Sequence, residues 1–433
     1  MEPSRIVTED GLGERGRDRV VLARSMRIWW LPLLATVVLM YSCESPSGSG
    51  SDVGERRAEG RDESALSADA AAGRGSSPII AEGRVIVAKR MTVPRAAHTT
   101  TPLPDGRVLV VGGCTLEGCE MADEGATAEL YDPFARSFAE TGSMTTERVS
   151  HTATPLLNGK VLVVGGWDSD GVLSSAELYD PATSAFSPAG DMSTGRAAHT
   201  ASLLPDGRVL LAGGYDGDRS LADAEIYDPG TESFRRTGDM ETPRSAHAAA
   251  LLADGRVLLT GGSDSRENVV ASAEIYDPGE GEFIRTGDMA AARHKHAAAA
   301  LEDGRVLVLG GSDADDFYDK HASAEVFDPE TDTFTAAPGM SMERFKLPDA
   351  VAALDRGEVL VGGDGEHAEI YSPGSEGFRV VRGNMETARM FATATPLTNG
   401  AALIAGGYDQ DINPTSKTWL YVPEDREAPT ANP

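Results

Sequence analysis

The sequence predicts an all-β protein in which one four-stranded unit of about 50 residues is repeated seven times and closed into a ring. Three observations predict it. Adjacent glycine pairs begin at Gly112, Gly165, Gly213, Gly261, Gly310, Gly362 and Gly406, at intervals of 53, 48, 48, 49, 52 and 44 residues. Each interval holds four short apolar runs closed by turn signals, a strand pattern rather than a helical one. A run ahead of the first pair, Ile79–Lys89, supplies the strand that is missing after the last pair.

Residues 192–240 show the unit plainly. His199–Leu204 is the first strand, closed by Asp206-Gly207, which reads as a two-residue hairpin turn. Arg208–Ala212 is the second, closed by Gly213-Gly214. Ala224–Tyr227 is the third, closed by Asp228-Pro229, and Phe234–Arg236 is the fourth. Asp-Gly or Asn-Gly recurs at the same place in the other units except the sixth, which has Asp355-Arg356-Gly357. Third strands end on Tyr131, Tyr179, Tyr227, Tyr276, Phe327 and Tyr371. A proline follows each two residues on, and Phe138, Phe186, Phe234, Phe283, Phe334 and Phe378 come five residues later. This spacing places two aromatics on neighbouring strands, able to pack between units. A four-stranded meander cannot bury both faces alone, so the units must stack on one another. The last unit, from Thr395 through Tyr421, runs out at Pro423 without a fourth strand; Ile79–Lys89 completes it and removes two open sheet edges.

The glycine pair, the tyrosine and the aromatic at fixed distance resemble the kelch family over Ile79 to Pro423, with Phe where that family more often has Trp. The resemblance implies a seven-bladed kelch-type β-propeller, spanning 78–425, whose ring is closed by an N-terminal strand that completes the last blade.

Outside that span the chain is polar except for one stretch. Ile28–Met40, preceded by Arg27, is too short to span a bilayer comfortably and suits a signal-peptide core. It leads to Ser42-Cys43, which resembles a bacterial lipoprotein cleavage box. Residues 1–43 therefore read as a leader and lipoprotein-type signal peptide, with Cys43 the lipidated residue. The Ser-, Gly- and acid-rich 44–77 reads as a disordered tether, and 426–433 as a polar tail. The expectation is a monomer in the cell envelope, held to a bacterial membrane, the outer one, only by its lipid; the alternative is secretion. The net charge of −29 argues against nucleic acid and against electrostatic docking on anionic lipid.

The loops between blades and those after the glycine pairs share one face, because strand direction alternates. An Arg-x-x-His pattern starts the innermost strands at Arg95, Arg148, Arg196, Arg244 and Arg293; Leu347 and Ala392 replace the histidine after Arg344 and Arg389. A residue repeated blade after blade reads first as part of the blade, bonding loop carbonyls. Acidic loops offer Asp168, Asp170, Asp216, Asp218, Asp313 and Asp315 as weak calcium candidates, without a complete EF-hand loop; no other cofactor is expected. The irregular loops cluster on blades five, six, seven and one, and function on repeat scaffolds sits where repeats differ. Tyr318, Lys320, His321, Arg344, Phe345, Lys346, Arg389, Phe391 and Tyr408 are the ligand-contact candidates of that sector. Cys114 and Cys119, in one loop of it, read as a disulfide, with free thiols as the alternative.

No nucleophile elbow, HExxH or other catalytic constellation appears, and no catalytic residue is assigned. The function expected is a non-catalytic module that binds a protein or glycan through the loop face. The alternatives are a carbohydrate-active enzyme of the galactose oxidase or sialic-acid mutarotase type, or a calcium-stabilised structural surface protein. Galactose oxidase uses a tyrosine crosslinked to cysteine, and nothing here matches its copper site residue by residue.

Overall fold

A computed structural model describes residues 80–120, 123–314, 319–374 and 377–424. The leader, Cys43, the tether, the C-terminal tail, Tyr318 and Asp315 lie outside the described residues.

Five separate four-stranded antiparallel sheets follow one another along the chain, from Thr99–Glu140 to Ala297–Ala337. An eight-stranded sheet contains the remaining two units. Blade six is Val351–Ala353, Val359–Val361, Glu369–Tyr371 and Phe378–Arg382. Blade seven is Thr393–Pro396, Ala402–Ala405, Thr418–Val422 and the N-terminal strand Ile80–Val87, antiparallel to Thr418–Val422 with Arg84 opposite Val422. The same N-terminal strand also runs parallel to Phe378–Arg382, pairing Ile80 with Val380 and Arg84 with Arg382. That second pairing, which the sequence does not announce, stitches the outer edges of blades six and seven together.

Closure of the ring is visible in the backbone. The amide of the second glycine of the pair, or of Asp364 in blade six, donates to the carbonyl of the arginine of the next blade, as Gly214 to Arg244 and Gly262 to Arg293, and the cycle closes from Gly407 to Arg95. Seven such steps join seven four-stranded units among the described residues. Second strands are almost wholly apolar and fully buried, as in Val108–Val111 and Val161–Val164. Between blades the core repeats: Tyr227 packs into the cluster of Leu162, Val164 and Leu178 from the blade before it. Its ring centroid lies 4.9 Å from Phe234, the cross-strand aromatic pairing expected from the spacing.

Two local readings change. The Asp-Gly turns are three-residue loops: Leu204 exchanges hydrogen bonds with Arg208 and Gly207, only Gly207 has positive φ (+87°), and Asp206 caps the Arg208 amide. In blade six the structural equivalent of the glycine pair is Gly363-Asp364. Gly362 lies one position earlier, and it is the Asp364 amide that bonds the Arg389 carbonyl and Gly363 O that accepts from Arg344.

Candidate functional site

The repeated arginines are structural. Arg196 is fully buried; its Nη1 donates to Gly213 O at 2.7 Å and its Nη2 to Glu225 Oε1 at 3.2 Å. Glu225 also accepts the Ser193 and Thr194 amides of the inter-blade loop. The same buried Arg–Glu pair recurs with Glu129, Glu177, Glu274, Glu325 and Glu369. Arg344 is one of these, wholly inside blade six on Glu369, and is withdrawn as a ligand contact. In blade seven Trp419 stands where the glutamate would be, opposite Ile404, and Arg389 finds Asp409 instead at 3.8 Å.

The histidines link blades. His151 Nε2 lies 3.1 Å from Thr99 Oγ1, His199 3.0 Å from Thr152 and His247 2.9 Å from Thr200. Burial first, then the adjacent arginine, pushes His98, His151, His199 and His296 down to about 3, so they are neutral. Glycine is required beneath them: a Cβ on Gly213 would stand 3.0 Å from His247 Cε1 and 2.4 Å from Arg244 O.

The residue two after each of the seven repeated arginines has left-handed backbone, and these residues form a ring of their own near the start of the innermost strands. Its peptides bond neighbour to neighbour: Ser150 to Ala97, Ala198 to Ser150, Ala246 to Ala198, Lys295 to Ala246, Phe391 to Lys346 and Ala97 to Phe391, while at the remaining step the Lys295 carbonyl accepts from the Leu347 amide. In blades one to four these residues are Ala97, Ser150, Ala198 and Ala246; in blades five to seven they are Lys295, Lys346 and Phe391. The side chains are small on one side of this ring and large on the other.

Around that crowded side most of the candidates meet. Lys346 Nζ donates to Tyr408 Oη at 2.7 Å and sits 5.2–5.6 Å from the ring centres of Phe345, Phe391 and Tyr408. Lys295 Nζ lies 5.3 Å from the Phe345 ring centre, and His294 stacks on that ring. Lys320 Nζ bonds Asp364 Oδ2 at 2.8 Å, and the same oxygen accepts the Phe345 amide. Burial, then the Lys295 charge, holds the Lys346 ammonium well below the ordinary lysine value, opposed by Asp364 and reinforced by Lys320. Burial pushes the Asp364 carboxyl up against the pull of Lys320, and pushes the Tyr408 phenol up.

Exposure differs from expectation. Lys320, His321 and Phe391 are partly open, whereas Phe345, Lys346 and Tyr408 are 2, 3 and 0 % exposed, and Arg389 is buried. His321 Nε2 bonds Ala292 O. Sequence reasoning missed Lys295, His294 and Asp364. The signal for Lys295 was the third letter of each Arg-x-x-His, small in four motifs and charged in Arg293-His294-Lys295-His296. Asp349 was also missed. It belongs to a two-residue insertion with Pro348 before the innermost strand of blade six. Its side chain meets solvent, yet the protein surrounding it pushes its carboxyl up to about 6.

The acidic loops are turns. Asp168 Oδ1 accepts the Asp170 and Gly171 amides, and Asp216 Oδ1 those of Asp218 and Arg219. Among the described residues no group of three or more His, Cys, Asp or Glu is gathered as a metal site. Cys114 and Cys119 form a disulfide, and within that loop Gly118 N bonds Ile412 O of blade seven.

Residues 150–363 match the family model described as the KLHDC2/KLHL20/DRC7 Kelch-repeats domain. No curated protein matches the sequence. Among solved structures the fold is similar to a novel fungal alcohol oxidase of the AA5 family in complex with copper, at 15% identity and a TM-score of 0.64, covering 80% of this chain and 76% of that one. That likeness concerns the fold. Among the described residues five histidines are bonded to threonine hydroxyls of the preceding blade, and both described cysteines are in the disulfide.

Proposed function

The chain being a kelch-repeat β-propeller, a fold that commonly serves as a protein-interaction scaffold, we propose that it is an interaction module which takes a protein partner on its loop face, at the axial mouth beside blades five to seven. One observation carries the reading. The seven-residue ring at the mouth keeps small side chains in four blades and departs from them in three consecutive ones, with Lys295, Lys346 and Phe391. Recognition on a repeat scaffold is written in such departures, since the repeated residues are occupied in holding blades together.

Phe391, partly exposed and centred in this sector, is the anchor; buried aromatics at interface centres dominate binding energy. Partner capture by the full chain tests the reading. F391A should lose a captured partner at least about tenfold, as for an anchor worth about 1.4 kcal/mol or more. R208A, on the opposite hairpin face, should keep it. Equal capture by both variants would overturn the assignment. The site is placed outside the cytoplasm by the lipid expected on Cys43. Palmitate labelling should mark the chain and fail in C43S; labelling of both, or of neither, removes the anchor from the proposal.

A further inference from the structure

The face opposite the loops is built of hairpins, because each innermost strand runs away from the loop face and turns there. The residue just before the turn glycine and its partner is apolar and exposed in blades one to four, as Pro104, Leu157, Pro205 and Ala253. In blades five to seven the same place holds Glu302, Asp355 and Thr398. The apolar residues form a continuous band. A Cβ built on Gly159, Gly207 or Gly255 stands 3.6, 3.0 or 2.9 Å from Pro104, Leu157 or Pro205 of the blade before it. Pro102 and Pro155, exposed at the ends of their innermost strands, widen the band on its inner side. Phe134 stands farther out, in the second hairpin of blade one, where Asp132 accepts its amide. Leu157 and Phe134 are 72 and 67 % exposed, the two highest values among the described large apolar residues. Charge divides the same face. Beyond the capping aspartate, the second hairpins of blades three to five add Glu232, Glu280, Glu282, Glu330 and Asp332, whereas those of blades one and two add no carboxylate. Blades five to seven show that the repeat does not require such a band, and exposed apolar surface of this kind marks a contact. The chain also joins the propeller on this face. Val422 lies opposite Arg84 and Trp419 opposite Val87, so Ile80 and Glu424 are both at the hairpin end of blade seven.

We propose that the hairpin face of blades one and two is a lipid-facing surface, on which Leu157, Phe134 and the neighbouring prolines seat the propeller against a bilayer. The occupant follows from where the rest of the chain attaches. Cys43, the expected lipid site, precedes Ile80 by 37 residues (80 − 43), and Ile80 lies on this face. A tether with the Ser-, Gly- and acid-rich composition of that stretch has a root-mean-square reach of about 30–36 Å. It therefore keeps the hairpin face, rather than the loop face, near the membrane. An apolar surface held there lowers its free energy by settling about 5–10 Å into the boundary between headgroups and acyl chains. The net charge of −29 and the acidic hairpins of blades three to five confine the contact to the apolar side and to uncharged lipid. The proposal rests on the lipid anchor at Cys43, and it turns the loop face outward, toward a partner.

The test attaches an environment-sensitive nitrobenzoxadiazole fluorophore to one introduced cysteine of the full chain. L157C and F134C probe the proposed surface, and D218C probes the loop face. Cys114 and Cys119 are joined, and the unsubstituted chain, labelled in parallel, reports any free thiol at Cys43. All three replaced side chains are exposed, so the substitutions leave the core intact. Each chain is added to phosphatidylcholine vesicles, with and without a lipid that carries a nitroxide near the top of its acyl chain. The expected result is a blue shift at 157 and 134, quenched by the nitroxide lipid, with neither effect at 218. Where 157 and 134 differ, Leu157 decides, being the more exposed. Water-like emission at 157, or equal quenching at 157 and 218, would overturn the lipid-facing surface. A blue shift at 157 that appears without vesicles and grows with protein concentration would also overturn it, giving the face to a second copy of the chain. Flotation separates this proposal from the anchor. A chain that floats with the vesicles while its 157 probe stays in water keeps the anchor and loses this surface. A chain that takes no palmitate label yet is quenched at 157 keeps the surface and loses the anchor.

Discussion

A buried guanidinium is tolerable only when its charge is answered, and the repeats answer it six times with a glutamate that also collects loop amides. Removing one partner leaves the other charge buried and alone. E274A should cost about 3–5 kcal/mol in urea unfolding, because Glu274 is the carboxylate that answers the buried Arg244 at 2.7 Å. R389A, whose partner is Asp409 at 3.8 Å, should cost less; an equal cost would mean that the glutamate is not what makes the repeat arginine expensive to lose. The histidines give a pH signature of definite sign. Their folded values, about 3, lie below the unfolded value of about 6.5. Their contribution is therefore complete above pH 6.5 and drains away as pH falls toward 3, at about 1.4 kcal/mol per pH unit for each ring. Stability measured by urea between pH 7 and 5 should fall steeply, and H199Q should reduce the slope by close to one proton. An unchanged slope in H199Q would show that His199 is already protonated in the folded chain.

The N-terminal strand has two jobs, and only one is written in the sequence. The absence of a fourth strand after Tyr421, set against a lone apolar run at Ile79–Lys89, makes the antiparallel pairing with Thr418–Val422 legible. Its parallel pairing with Phe378–Arg382 is not legible, because the hydrophobic pattern of a strand says which face is buried and not which second edge it meets. The glycine register of blade six is hidden for a similar reason. Gly362-Gly363 reads as the pair, but the positive φ falls on Asp364, at +46°, a place where Asp tolerates the left-handed region. Deleting residues up to Val87 uncovers two sheet edges at once. The truncated chain should elute as aggregate in size-exclusion chromatography, since unpaired edges template association; a monomeric, folded truncation would show that blade seven closes without the strand. At the other closure, Cys114–Cys119 ties a short loop that touches Ile412 through Gly118. Such a small loop contributes about 2 kcal/mol by the chain-entropy account. Reductant should lower the melting temperature of the wild type and leave C114S/C119S unmoved.

At the scale of the whole molecule, the repeat made the fold readable and hid the site. Periodicity reports what every blade shares, so the Arg–Glu pairs and the inter-blade histidines could be assigned to the scaffold. The mouth is defined by what three blades do not share, and its members come from separate parts of the chain: Lys295, Lys320, Phe345–Lys346, Asp364, Phe391 and Tyr408. Only the stacking of consecutive blades brings them together. The same contrast of scaffold and surface bears on salt. The chain carries −29, and its surface carboxylates repel across distances that salt shortens, the screening length being about 30 Å at 0.01 M and about 8 Å at 0.15 M. The buried Arg–Glu pairs are removed from that screening, so added salt relieves the repulsion and costs the interior little. The melting temperature should therefore rise between 0.01 and 0.15 M sodium chloride, by a few degrees. A fall would mean that exposed ion pairs such as Asp206–Arg208 and Arg236–Asp239 outweigh the net charge.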